Sequence, residues 1–185
     1  MPEYINNRLQ VTPDFGIQLV PKCGTSSLKK AFGKRDARDT KFIYHSGPLR
    51  GRKLAVIRQP IERLLSWWRQ QVRNAGRVSE QHCRYLKVNQ HNLDLNHIMR
   101  AIIACPRKEV HYAHYHDIID VEDTHIITLE RLHEQWPDWA PELNLPEPVN
   151  TTEKKPGEGL EREVREALEE HYLADVLLWE EALER

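Results

Sequence analysis

Nine residues, Val20-Pro-Lys-Cys-Gly-Thr-Ser-Ser-Leu28, join an apolar run, Phe15-Gly-Ile-Gln-Leu-Val20, to a helix-forming stretch that ends near Phe32 and Gly33. The run reads as a short strand, Pro21 to Gly24 as a polar turn, and about Ser26 to Phe32 as a helix that Gly33 terminates. That order is α/β patterning. It also places a lysine, a glycine and three hydroxyls at a helix start, where backbone N–H groups and the positive end of the helix dipole favour an anion. Gly24 lets the backbone approach a tetrahedral oxyanion, and Lys22 neutralises it. A Walker A loop would carry its lysine directly after the last glycine; here the lysine comes two positions before it, so the usual triphosphatase assignment fails. A helix merely capped by Ser or Thr would account for Thr25 and Ser26 but not for the Pro-Lys-x-Gly that precedes them.

The same patterning continues. Phe42 to His45 and Lys53 to Ile57 read as the next two strands, and Pro60 opens a helix with Ile61, Leu64, Leu65, Trp68 and Val72 on one stripe. Arg58 then falls at a strand's C-terminal edge, where open α/β sheets bind ligands, and its fork suits a phosphate. Ser66 follows two helical turns on. Arg58 could instead pair with Glu62 one turn away, leaving Ser66 a tolerated polar residue. A helix is expected over Leu93 to Ala104, capped by Asn92 or Asp94 and stopped by Pro106, and a buried strand over His125 to Leu129. A Pro-rich connection around Pro137 to Pro148 and a polar loop from Asn150 lead to a helical tail over Leu160 to Leu183 with a break near His171. The expected organisation is one domain over residues 1–185, its helical C-terminal segment covering about 158–185.

Composition bounds the function. With 185 residues, 39% hydrophobic and 30% charged, the chain has enough apolar material for a core and is not low-complexity. Residues 1–110 carry 21 Lys and Arg against 8 Asp and Glu, while 111–185 carry 6 against 20. A basic N-terminal half suggests an anionic ligand or polyanion; complementary folding of the two halves is the alternative. Cys23, Cys83 and Cys105 are odd in number and form no CxxC, which fits a reducing compartment. No apolar run approaches the roughly 18 residues of a membrane span, and the start lacks signal-peptide order. A soluble, cytoplasmic protein without a membrane anchor is expected, with the soluble part of a lumenal protein as the alternative.

Pro21-Lys-Cys-Gly-Thr-Ser-Ser-Leu28 resembles the 5′-phosphosulfate loop of the sulfotransferases, in particular the carbohydrate branch acting on uronic-acid and heparan-like glycans. Val56-Ile-Arg-Gln-Pro-Ile-Glu-Arg-Leu-Leu-Ser-Trp-Trp68 resembles that branch's 3′-phosphate motif, with Gln59 in place of the usual acidic residue. Asn150-Thr-Thr-Glu-Lys-Lys155 and Ala167 to Asp175 resemble, less specifically, its late lysine loop and closing helix. The resemblance implies a P-loop-like three-layer α/β fold with a short central parallel sheet flanked by helices. It implies 3′-phosphoadenosine 5′-phosphosulfate as donor, the 3′,5′-bisphosphate as product, and no metal. Lys22, Cys23, Gly24, Thr25, Ser26, Ser27, Arg58, Ser66 and Lys155 are the expected donor contacts, and the acceptor is a hydroxyl or amine on a glycan or other polyanion. Tyr44-His45-Ser-Gly resembles the segment that supplies the catalytic histidine in uronic-acid sulfotransferases. His45, at a strand end, is accordingly the expected base beside Lys22, since an unperturbed imidazole is suited to accepting a proton near neutrality.

Two features compete for attention. His111-Tyr-Ala-His114-Tyr-His116 invites a metal reading but lacks an HExxH-type partner set, so a structural or acceptor-facing cluster is expected. Arg63, Arg69, Arg73 and Arg77 form a helix face that either meets a polyanion or is simply solvated. The rival functions are a kinase-like P-loop transferase and a non-catalytic nucleotide- or polyanion-binding module. Nucleic acid is not expected as a partner, because the basic residues lack interleaved aromatics.

Overall fold

The structure is a computed structural model that describes residues 8–32, 48–106, 109–139, 145 and 159–185. Among these residues four strands form one sheet in the order β1 (Arg8–Thr12), β2 (Phe15–Gln18), β3 (Arg52–Ile57), β4 (His125–Thr128). β2, β3 and β4 run parallel, whereas β1 pairs antiparallel to β2. The expectation of a parallel sheet is therefore corrected to a mixed one. The physical reason lies in the connection: Thr12 pairs with Phe15, so only Pro13 and Asp14 join the strands, and a two-residue link permits only an antiparallel return. The strand expected at Phe42 to His45 lies outside the described residues.

Alternation along β3 shows why helices cover both faces of this sheet. Leu54 and Val56 point into one cluster with Ile17, Leu28, Ile127 and Trp136, which brings in α1 (Thr25–Phe32) and α6 (Leu132–Trp139). Ala55 and Ile57 point the other way, into a cluster with Val20, Cys23, Tyr115 and Ala182 from α5 (Tyr115–Ile118) and α8 (Leu173–Glu184). A strand buried on both faces reads as a continuous apolar run, as Leu54 to Ile57 does. A further cluster around Trp67, Met99 and Leu168 gathers α2 (Pro60–Ala75), α3 (Glu80–Leu86), α4 (Leu95–Ile103) and α7 (Arg162–His171). Burying each such Leu, Ile or Met side chain contributes about 1.5–3 kcal/mol.

Local signals account for several ends. Pro60 takes the first helical position of α2, and the Gln59 side chain caps it by accepting from the Glu62 amide at 2.8 Å. Asp94, not Asn92, caps α4 by accepting from the His97 amide at 2.6 Å, while Asn92 turns inward on the Asp94 amide at 3.0 Å. The break in the tail falls at Tyr172, whose buried hydroxyl donates to the Tyr112 carbonyl and ties the α7–α8 corner to the loop before α5. Part of the expected Pro-rich connection is helical instead: α6 continues through Pro137. Among the described residues no helix is long and apolar enough to cross a membrane.

Candidate functional site

Three parallel strands end at one edge, and each hands the chain to a segment carrying polar residues. After β2, the loop keeps its shape through the Cys23 amide donating to the Val20 carbonyl at 3.2 Å and the Thr25 hydroxyl donating to the same carbonyl at 2.6 Å. Two residues adopt left-handed backbone, Lys22 at φ 69° and Gly24 at φ 74°. For lysine that conformation costs about 1–2 kcal/mol. For glycine it is unstrained, and a Cβ there would stand only 3.1 Å from Leu129 Cδ1. The Leu28 amide, bonded to the Gly24 carbonyl at 3.0 Å, begins the α1 ladder, so the amides of residues 25–27 precede its first rung. No acidic residue occupies that first turn.

The loop does not stand alone. Lys22 Nζ donates to Gln70 Oε1 at 2.6 Å, which joins it to α2, the helix that follows β3. At the start of that helix Arg58 lies 3.7 Å from the Glu62 carboxylate, with Arg69 on the same oxygen at 3.6 Å. Both are ion-pair rather than hydrogen-bond distances. Glu62, Ser66, Arg69 and Gln70 fall at three- and four-residue spacing on one stripe of α2. Two cationic side chains from separate loops thus meet a single polar stripe at points roughly 12 Å apart along the helix.

Behind them stands Tyr115, fully buried, whose hydroxyl donates to the Arg58 carbonyl and accepts from the Arg58 amide at 3.3 Å. Its backbone amide donates to Asp175 Oδ1 at 3.0 Å. Burial holds the phenol well above its ordinary pKa, so it acts as a neutral donor. Burial likewise pushes the Cys23 thiol up to about 12 against the pull of nearby Arg63 and Arg58, so it is no thiolate nucleophile. On the far side, Glu130 accepts from the Gln59 amide and the Trp179 indole, each at 3.2 Å.

The expected site residues divide accordingly. Lys22, Gly24, Thr25, Ser26 and Ser27 lie on the loop and the first turn of α1, Arg58 precedes α2 and Ser66 lies on its polar stripe, with Ser27 and Ser66 both buried. Cys23 belongs to the loop but turns its side chain into the core, at 1% exposure, and can serve the loop only as an anchor. His45 and Lys155 lie outside the described residues. The arginine face is corrected for two of its members: Arg63 and Arg69 are neither solvated nor presented to a polyanion, being 1% and 6% exposed, whereas Arg77, beyond the end of α2, is exposed. Arg63 spans the Tyr115 ring at 4.7 Å and donates to the Ala113 carbonyl. Gln70, Tyr115 and Glu130 escaped the sequence reading; only Gln70, four residues beyond Ser66, had a signal there.

A second polar group surrounds Trp67. Its indole donates toward His82 Nε2 at 3.4 Å, Glu109 lies 3.9 Å from His82 Nδ1, and His111 Nδ1 meets Glu109 at 2.9 Å. Burial lowers the His82 pKa despite Glu109. In Glu109, burial works upward, but the His111 contacts outweigh it and hold the carboxyl below its ordinary value. Compared with known proteins, the chain matches no family model, no curated protein and no solved structure.

Proposed function

We propose that the chain is a sulfotransferase that moves a sulfuryl group from 3′-phosphoadenosine 5′-phosphosulfate to an acceptor hydroxyl or amine on a carbohydrate-like substrate. The observation that carries this reading is the convergence of Lys22 and Arg58 on the polar stripe of α2, which suits a ligand with two separate anionic groups. The strained Lys22 backbone supports it, because strain in a loop persists where position matters. In the proposal the α1 N-terminus and Lys22 take the 5′-phosphosulfate, Arg58 and Ser66 take the 3′-phosphate, and Lys155 adds a further contact. The acceptor oxygen or nitrogen attacks sulfur in line, its proton passes to His45, and the bond from sulfur to the bridging phosphate oxygen breaks. Lys22 stabilises the charge growing on that oxygen. Cys23, Cys83 and Cys105 are thiols, which supports a reducing, cytoplasmic setting.

Thermal shift tests the proposal. 3′,5′-Bisphosphoadenosine should raise Tm, ATP with magnesium should do so much less, and Arg58→Ala should erase the preference for the bisphosphate over 5′-AMP. His45→Ala should lower turnover about 10²- to 10⁴-fold with bisphosphate binding unchanged. Stabilisation by ATP with magnesium and none by the bisphosphate would put the kinase-like reading first.

A further inference from the structure

We propose that His114, His116 and Asp175 bind one divalent transition-metal ion, of which Zn²⁺ is the reference case, at the junction of α5 and α8. Each of these residues offers a ligand atom, and the three atoms lie within 4.8 Å of one another. Asp175 is 1% exposed; its Oδ1 is engaged by the Tyr115 amide, while its Oδ2 is buried without a hydrogen-bond partner. His114 Nδ1 is likewise buried without one. The two orphaned atoms face each other at 3.6 Å. That is too long for an N–H···O bond. It is close to the separation of about 3.4 Å between two ligands that each stand about 2.1 Å from one tetrahedral ion. A cation between them would satisfy both atoms.

The surroundings fit such a centre. The His116 ring stacks on the His114 ring with centroids 5.3 Å apart, and His171 and Tyr172 pack the His114 ring at 5.1 and 4.8 Å, which fixes its orientation. The Tyr115 amide orients the carboxylate from behind, as outer-shell partners do around metal ligands. Imidazole with carboxylate suits Zn²⁺, Co²⁺ or Ni²⁺ rather than Mg²⁺. In the rival grouping, His82, Glu109 and His111, His82 Nδ1 is also buried without a partner, but the other atoms are committed. Trp67 donates toward His82 Nε2, so metal on Nδ1 would require that ring to lose both protons, and Glu109 is already held by His111 at 2.9 Å. The proposed ion takes no part in sulfuryl transfer. It would clamp α5 to α8 and, through Tyr115, steady the Arg58 backbone.

Co²⁺ titration of the metal-stripped full chain, followed by visible absorption, tests this, with Zn²⁺ thermal shift as a second readout. The expected result is one Co²⁺ per chain with a tetrahedral d–d band, and a Tm raised by Zn²⁺. His116→Gln changes a largely exposed side chain and should weaken binding at least about tenfold. Asp175→Asn, which keeps an acceptor for the Tyr115 amide, should do the same, while His111→Gln should leave binding unchanged. No saturable binding at millimolar Co²⁺, or loss in His111→Gln with retention in His116→Gln, would overturn the assignment. Compared with both proteins metal-stripped, bisphosphate binding by His116→Gln should match wild type, so the metal result and the proposed transferase activity are tested separately.

Discussion

Tyr115→Phe isolates the link between the buried scaffold and Arg58. The substitution keeps the ring, its volume and the Arg63 guanidinium stacked on it at 4.7 Å, and removes only the hydroxyl that serves the Arg58 carbonyl and amide. The amide contact, at 3.3 Å, is weak; the loss is mainly that of a donor to a sheltered carbonyl. Leaving such a group unsatisfied costs about 1–3 kcal/mol. Taking about 2 kcal/mol, a chain of this size should melt about 4–8 °C lower by calorimetry or circular dichroism. Affinity for 3′,5′-bisphosphoadenosine should fall more than affinity for 5′-AMP, because the displaced residue is the proposed 3′-phosphate ligand. Tyr172→Phe is the matched control: its hydroxyl also donates to a buried carbonyl, that of Tyr112, but away from the loop. It should lower Tm similarly and leave the nucleotide preference intact. A Tyr115→Phe melting point within about 1 °C of wild type, or identical nucleotide behaviour in the two variants, would refute the reasoning.

Lys22→Ala and Lys22→Gly should both lose donor affinity and turnover. The glycine variant should melt about 2–4 °C above the alanine one, since only glycine is unstrained at φ 69°; equal melting points would count against the strained loop. Gly51→Ala should lower Tm by at least about 4 °C, because a Cβ at φ +68° would lie 2.2 Å from the Asp14 carbonyl oxygen, in the turn that starts β3; a wild-type melt would contradict this. Burial lowers the pKa of His82, His125 and His171 below their ordinary 6.5, so the unfolded chain binds protons first on acidification. Stability should fall as pH drops below about 7, through about 6.5 and on through the depressed folded values. A melting point that rises between about pH 7 and 5.5 would show the opposite linkage.

Elements carried by local chemistry were legible in the chain. Pro60 with its apolar stripe, Asp94 before Leu95, and the apolar run of β3 each specify a boundary or a face within a few residues, and the observed α2, α4 and β3 follow them. The short α3 and the half-exposed β1 were not legible, because seven residues and a single buried Leu9 give too weak a period. Lys22, Arg58 and Ser66 were visible for the same local reason, each belonging to a contiguous motif. Their supports were not: Gln70 reaches Lys22 across 48 residues, Tyr115 reaches Arg58 across 57, and Asp175 reaches Tyr115 across 60. Arg63 and Arg69 show the difference most directly. Residue type alone assigns a guanidinium to solvent or to an anion, because burying an unpaired charge is costly. The tertiary structure reverses that assignment by bringing the Tyr115 ring and the Ala113 carbonyl to Arg63 and holding Glu62 against Arg69, partners whose arrival depends on how the helices pack.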